Sequence, residues 1–394
     1  MRIGITWHMS APMPPADRPL RIAFIYMKGR SARLAEVERG KVPSEFFYGS
    51  IEMARRGYEV THFEIDPDRP PDLSERLLGR LFPRSLRPVK TSPGIVVQAY
   101  RLAAELNRAD CLVATGGNIA YALAALARCG VIHKPIVGIQ CGVLNFQHSP
   151  GRRWVSRQLL LKMHTMLFGE AELEPMRRFF ELPEEVISVN LFGVDTQFWQ
   201  PDPGVKRDIV LAIGNDGRRD FPTLVAAADR IPLPVHIVTK MTLPPNLPAN
   251  VTQHRGSWHG AELSDAQIRT LYQRAHVVVV PIQPTNQPSG QSVTLQAMAC
   301  GCPVVLTETE GLWSREQLKD GENVLLVRPG DSAHLAERVG EVIADEGVAE
   351  RLGRAGRASV ERSGSIEEFA AKVAACCDQL SRKRGNPRTA AAFC

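Results

Sequence analysis

The chain has 394 residues, 44% of them hydrophobic and 23% charged, with a formal net charge of +6 at pH 7. This length suits two cores of roughly 150 to 200 residues, and the balance of apolar and charged residues excludes a fibrous or disordered class. No apolar run reaches the roughly 20 residues needed to span a bilayer, and the first residues lack the apolar core of a signal peptide.

Residues 1–19 are polar and Pro-rich and are expected to form a flexible N-terminus. Residues 21–27 read as a buried strand, followed by the loop Lys28-Gly29-Arg30. The spacing of Phe46, Phe47, Ile51 and Ala54 predicts a helix over 44–56, stopped by Gly57 ahead of a strand at 58–63. Residues 76–84 form a basic amphipathic stretch. Strands are predicted at 111–115 and 135–139, separated by the pair Gly116-Gly117 and a helix over 118–128. A second basic stretch, 152–163, carries Trp154 and three leucines. Such alternation predicts a parallel sheet with helices on both faces over 20–198. Residues 199–206, rich in Pro and Gly, read as a linker. A second alternating set over 207–364 has strands at 208–214, 235–239, 276–280 and 304–306. A helix over 365–381 and a disordered tail over 382–394 complete the reading. The fold class is α/β, with two doubly wound, Rossmann-like parallel-sheet domains facing a cleft.

Ligands of open α/β sheets bind beyond the carboxyl ends of the strands. That rule selects the loops after Gly214, Val238, Val280 and Leu306. The segment Pro288-Ser289-Gly290-Gln291-Ser292-Val293 is a small-residue turn opening a helix, so its free amides form an anion site; no lysine stands where a Walker A loop needs one. Arg218 and Arg219 follow the strand ending at Gly214, where a guanidinium can grip phosphate oxygens in two places. Gly116-Gly117 reads as a tight turn or a ligand contact. Eight cysteines without metal-ligand spacing point to buried thiols in a reduced, cytoplasmic protein. Cys141 has no sequence-local His to activate it, no Ser-His-Asp set is detectable, and no metal is expected to be required. Few aromatic residues and no recognition motif argue against nucleic acid. The two basic amphipathic stretches are compatible with an anionic lipid surface at the inner face of a membrane, or with plain core packing.

Ala297-Met298-Ala299 and Gly301-x-Pro303-Val304-Val305, together with the linker motif Gly193-Val194-Asp195-Thr196-x-x-Phe198, resemble the retaining GT-B glycosyltransferases of family 4. That family places two glutamates, with seven residues between them, at the start of this run; here Pro288 and Gln296 stand in their places. The resemblance implies a GT-B fold over residues 21–379 and a metal-independent transfer of sugar from a nucleotide-diphosphate donor, with no cofactor, to a glycan, lipid or small-molecule acceptor. It places Gln296 on the ribose and Arg219, as catalytic residue, on the diphosphate. Gly214, Asn215 and Arg218 lie beside them. Gly256 and Trp258 fall in the loop that holds the base, and Asn286 and Gln287 lie near the donor sugar. Ser289, Gly290, Gln291, Ser292 and Val293 form the donor loop, with Glu308 or Glu310 as substitutes for the glutamate missing at Pro288. On the acceptor side it implies Lys28, Gly29, Gly116, Gly117 and Gln140. Two alternatives stay open: a non-catalytic nucleotide-sugar binder on the same scaffold, and another GT-B activity such as epimerisation.

Overall fold

A computed structural model describes residues 18–82, 84–88, 91–146, 148–255 and 263–385. Gly256 and Trp258, the flexible N-terminus up to residue 17 and the tail from 386 lie outside the described residues. In the first domain the strands are β1 (Arg21–Met27), β2 (Glu59–Ile65), β3 (Cys111–Ala114), β4 (Ile136–Gln140), β5 (His164–Leu167) and β6 (Ile187–Val189). In the second they are β7 (Ile209–Ile213), β8 (Val235–Val238), β9 (Val251–His254), β10 (Ala275–Val280), β11 (Val304–Thr307) and β12 (Leu325–Val327).

Each set forms one six-stranded sheet, in the orders β2-β1-β3-β4-β5-β6 and β12-β11-β10-β7-β8-β9. Every pairing between these strands is parallel. Central strands such as β3 and β4 are buried along their whole length, as sheets covered on both faces require. In each sheet the order reverses beside the first strand of its domain, so β1 and β7 border the switch points where ligands bind.

The helix predicted over 44–56 is broken. A 3-10 turn, Glu45–Phe47, precedes two left-handed residues, Tyr48 (φ 52°) and Gly49 (φ 82°), and only then does a helix, Ser50–Arg55, begin. The cause is tertiary. A Cβ at Gly49 would lie 2.8 Å from the Cα of Ala370, so the chain turns there to admit the C-terminal helix.

That helix, Ile366–Gly385, runs over the first sheet although it follows the second in sequence. Ile366, Phe369, Ala370 and Val373 join a core cluster with Ile22, Phe24 and Cys111. Tyr58 donates to Asp378 at 3.0 Å and Asn190 to the Phe369 carbonyl at 3.2 Å. Residues 382–385, expected in the tail, continue the helix. The crossover at 192–199 is also no loose connector. Val194 bridges Ser365, and Trp199 is fully buried.

Candidate active site

A cavity of about 850 Å³ opens between the domains. From the first domain it is lined by Arg33, Glu36, Lys41 and Val42; from the second by Gly214, Asn215, Arg219, Ser292, Val293 and Gln296.

Arg219 is the buried cation in its wall. The loop after β7 folds back through Arg219 N to Asp216 O (3.2 Å) and an isolated bridge to Ile282. The guanidinium is thereby laid across two glycines. A Cβ would sit 2.0 Å from its Nε at Gly214 and 2.9 Å from its Nη1 at Gly290. Arg219 is 3% exposed, and neither Nε nor Nη1 has a hydrogen-bond partner. Its nearest carboxylate oxygen is Asp216 Oδ2, at 3.3 Å from Nε. Burial lowers its pKa, with Asp216 opposing. A buried cation with free N–H groups is costly unless an anion arrives to pair with it. Gly214→Ala is therefore expected to dislodge the guanidinium and weaken nucleoside-diphosphate binding at least about tenfold by calorimetry. Binding equal to that of the native protein would separate Gly214 from the site.

Opposite Arg219 stands the helix Gln291–Ala299, with Gly290 at its N-cap (φ 78°) and no side-chain cap. Its first N–H groups are left free for an anion. Ser289 is not among them; its hydroxyl donates to Asp216 Oδ1 at 3.0 Å and ties the two loops together. Gln291 is buried with its Nε2 unpartnered. Arg218 is half-buried and does not line the cavity. Asn215 takes the structural role of joining β7 to the next loop, accepting from Thr239 Oγ1 (3.2 Å) and Lys240 N (2.6 Å).

Gln296 borders the cavity, yet both ends of its amide are engaged by protein. Nε2 donates to Glu45 Oε1 at 2.9 Å, and Oε1 accepts from Tyr272 at 3.1 Å. Glu45 belongs to the first domain and is fully buried. It also accepts from Trp199 Nε1 (2.8 Å) and from the Asp195 amide (2.9 Å). Gln296, expected at the ribose, thus also ties the two domains together. A substitution to glutamate, tolerable if 296 met only ligand, would oppose two carboxylates there.

Burial pushes the Glu45 carboxyl up to about 8 from 4.5, against the pull of its three hydrogen bonds. Between those values the unfolded chain releases a proton that the fold retains, so stability falls as pH rises. Glu172, raised to about 7 by burial, acts in the same direction. Glu45→Gln is expected to flatten part of the fall in urea midpoint between pH 5 and pH 8. An unchanged slope would contradict this placement of Glu45.

The remaining predicted residues divide. Gln287 reaches the first domain, where Asn145 donates to its Oε1. Asn286 is exposed and does not line the cavity. Pro288 packs on Gly169, 3.1 Å from where a Cβ would stand. Glu308 pairs with Arg315, and neither it nor Glu310 lines the cavity. Lys28 is held by Asp66 at 2.7 Å, and neither Lys28 nor Gly29 lines the cavity. Gly116 caps the helix Gly117–Arg128 without a side-chain bond. Gln140 is buried, with Oε1 unpartnered and 3.1 Å from a Cβ placed on Gly117, so these two do meet at the ends of β3 and β4.

The sequence reading missed Glu45, Arg33 and Lys41. Arg33 forms an ion pair across the cleft with Asp265, which itself lines the cavity. The only local signal was the Phe46-Phe47 pair beside Glu45, marking that turn as buried.

Residues 217–345 match the family described as glycosyl transferases group 1. That match falls within the second domain and covers about a third of the chain. α-Maltose-1-phosphate synthase of Mycobacterium tuberculosis is 28% identical over 237 residues, covering 52% of this chain and 60% of the relative. The chain thus matches about three fifths of the length of that relative. Among solved structures, sucrose-phosphate synthase from Thermosynechococcus elongatus aligns with a TM-score of 0.66 at 20% identity, over 92% of this chain and 99% of that one. Anabaena Alr3699/HepE, solved with UDP and glucose, aligns with a TM-score of 0.64 at 17% identity, over 92% and 100%. The fold is GT-B, with both Rossmann-like domains present. The cavity beside Arg219 lies in the cleft of that fold.

Proposed function

We propose that the chain is a retaining, metal-independent glycosyltransferase that takes sugar from a nucleotide-diphosphate donor bound in the cleft. The observation that carries this reading is Arg219: a buried guanidinium with free N–H groups, facing a helix N-terminus across two glycines. Two anion-binding devices converge where a diphosphate fits. The bond from the anomeric carbon to the diphosphate oxygen breaks, and a bond from that carbon to an acceptor hydroxyl oxygen forms. Arg219 and the amides of 291–293 stabilise the departing charge, and a phosphate oxygen takes the acceptor proton.

The relatives and neighbours support this by name: α-maltose-1-phosphate synthase, sucrose-phosphate synthase, and HepE holding UDP and glucose. The acceptor, a glycan, lipid or small molecule, faces the first domain, near Gln140 and Gly117. Peripheral attachment to a membrane belongs to the same reading; among the described residues no helix is long and apolar enough to cross one. The test is incubation with a panel of nucleotide sugars and an acceptor pool that includes lipid extracts. Release of nucleoside diphosphate with a glycosylated product of unchanged anomeric configuration is expected. Pro288, seated on Gly169 where the family carries a carboxylate, favours the non-catalytic reading, and nucleotide-sugar binding without any product would establish it.

A further inference from the structure

The first domain carries a second cavity, about 440 Å³ in volume, that shares no lining residue with the cavity beside Arg219. Its walls include Leu78, Leu81, Val96, Tyr121, Ala125 and Trp154. It lies between the helices Leu73–Leu81, Pro93–Arg101, Gly117–Arg128 and Pro150–Leu160. The last is tied to the segment after the first by Arg152 donating to Arg84 O (2.9 Å) and Ser149 to Ser85 O (3.2 Å).

Three features of this cavity are unusual together. Large apolar side chains stand in solvent around it: Leu81 is 81% exposed and Trp154 64%. Isolated exposed leucines need no explanation, but a continuous apolar rim and cavity do. Tyr121 is 3% exposed, yet its hydroxyl has no hydrogen-bond partner. A polar atom so buried is costly unless a ligand meets it. Finally, the surroundings are rich in arginine, although Asp72 pairs with Arg101 and Glu181 with Arg153 at the edges. Segments 73–101 and 117–162 contain a single carboxylate, Glu75, which is buried against Arg69. Arg76, Arg80 and Arg128 are exposed and make no ion pair among the described residues. Arg128 and Arg87 line the cavity, and Arg76 and Arg80 are exposed on one of its wall helices; apolar side chains flanked by such arginines match a hydrocarbon chain below an anionic headgroup.

We propose that this cavity receives one acyl chain of an anionic lipid and thereby docks the first domain on an anionic bilayer. The arginines draw the surface to the headgroups, Leu81 and Trp154 enter the interface, and the chain fills the space beside Ala125. The Tyr121 hydroxyl then donates to an ester carbonyl of the lipid. This rests on the reading that the protein meets a membrane and not on sugar transfer. The experiment contains no nucleotide sugar, so its failure leaves the cleft chemistry standing.

The experiment is co-sedimentation of the full chain with vesicles of equimolar phosphatidylcholine and phosphatidylglycerol, and with phosphatidylcholine alone. Binding to the anionic vesicles is expected, weakened by salt. Trp154→Ala, Ala125→Phe and the pair Arg76→Glu, Arg80→Glu are each expected to reduce it about tenfold. Unfolding midpoints are measured alongside; if Ala125→Phe lowers its own, the smaller filler Ala125→Leu replaces it. Four results would overturn the proposal: no binding; equal binding to both vesicles; native binding by a folded, cavity-filled variant; or binding only after removal of residues 1–17, which would assign the cavity to the chain's own segment. A stable dimer by light scattering with no vesicle binding would assign it to a second copy instead.

Discussion

Arg219→Ala is expected to lower turnover at least about a hundredfold, a barrier increase of roughly 2.7 kcal/mol. The reasoning starts from burial. Arg219 has no hydrogen-bond partner at Nε or Nη1, and stands beside a helix N-terminus that also lacks a side-chain cap. Such groups do little for the empty protein, because a buried cation with one carboxylate at 3.3 Å is poorly compensated. They gain most when charge builds on the leaving diphosphate, so the loss falls on the transition state more than on ground-state binding. Arg219→Lys keeps the charge, loses the planar fork, and is expected to fall between native and alanine. Steady-state rates of nucleoside-diphosphate release, with circular dichroism to confirm the fold, check this. An alanine variant with native turnover would remove Arg219 from the chemistry.

Gln296→Glu is expected to cost on the order of 3 kcal/mol of stability at pH 8 and much less at pH 5. The amide stands 2.9 Å from Glu45 Oε1 and accepts from Tyr272. Glutamate would remove the donor and present a second carboxylate in a buried place at the edge of the cavity. Two such groups share a proton rather than both ionise. At pH 5 one proton is readily available, and at pH 8 it must be held against solution. Urea unfolding at the two pH values reads the difference directly. Equal midpoints for native and variant at pH 8 would show that this tie between the domains does not exist. The Gln at 296, which reads in sequence as a loss from the family motif, is thus complementary to the carboxylate contributed by the other domain.

Much of this was legible from residue patterns, and the exceptions have physical causes. β10 is a run of valines, and β1 and β7 are similarly apolar, so strand character follows from composition alone. β6 and β12 have only 3 residues each and lie at sheet edges, and β9 carries Thr252 and Gln253, so no pattern distinguishes them from loop. The apolar spacing over 44–56 is real, but Gly49 must turn against Ala370, which is 321 positions away in sequence, and tertiary contact overrides local periodicity. Arg219 could be found because a strand-end rule locates it. Glu45 could not, because a lone glutamate in Pro-Ser-Glu-Phe-Phe reads as a surface residue until Gln296 is placed beside it.

The most direct measurement of the central claim is calorimetric titration of native protein and Arg219→Ala with nucleoside diphosphates and the corresponding nucleosides. The account predicts one site per chain, a preference for diphosphate over nucleoside in the native protein, and near loss of that preference in the variant, with nucleoside binding little changed. An equal preference in both proteins, or no diphosphate binding by the native chain, would contradict it.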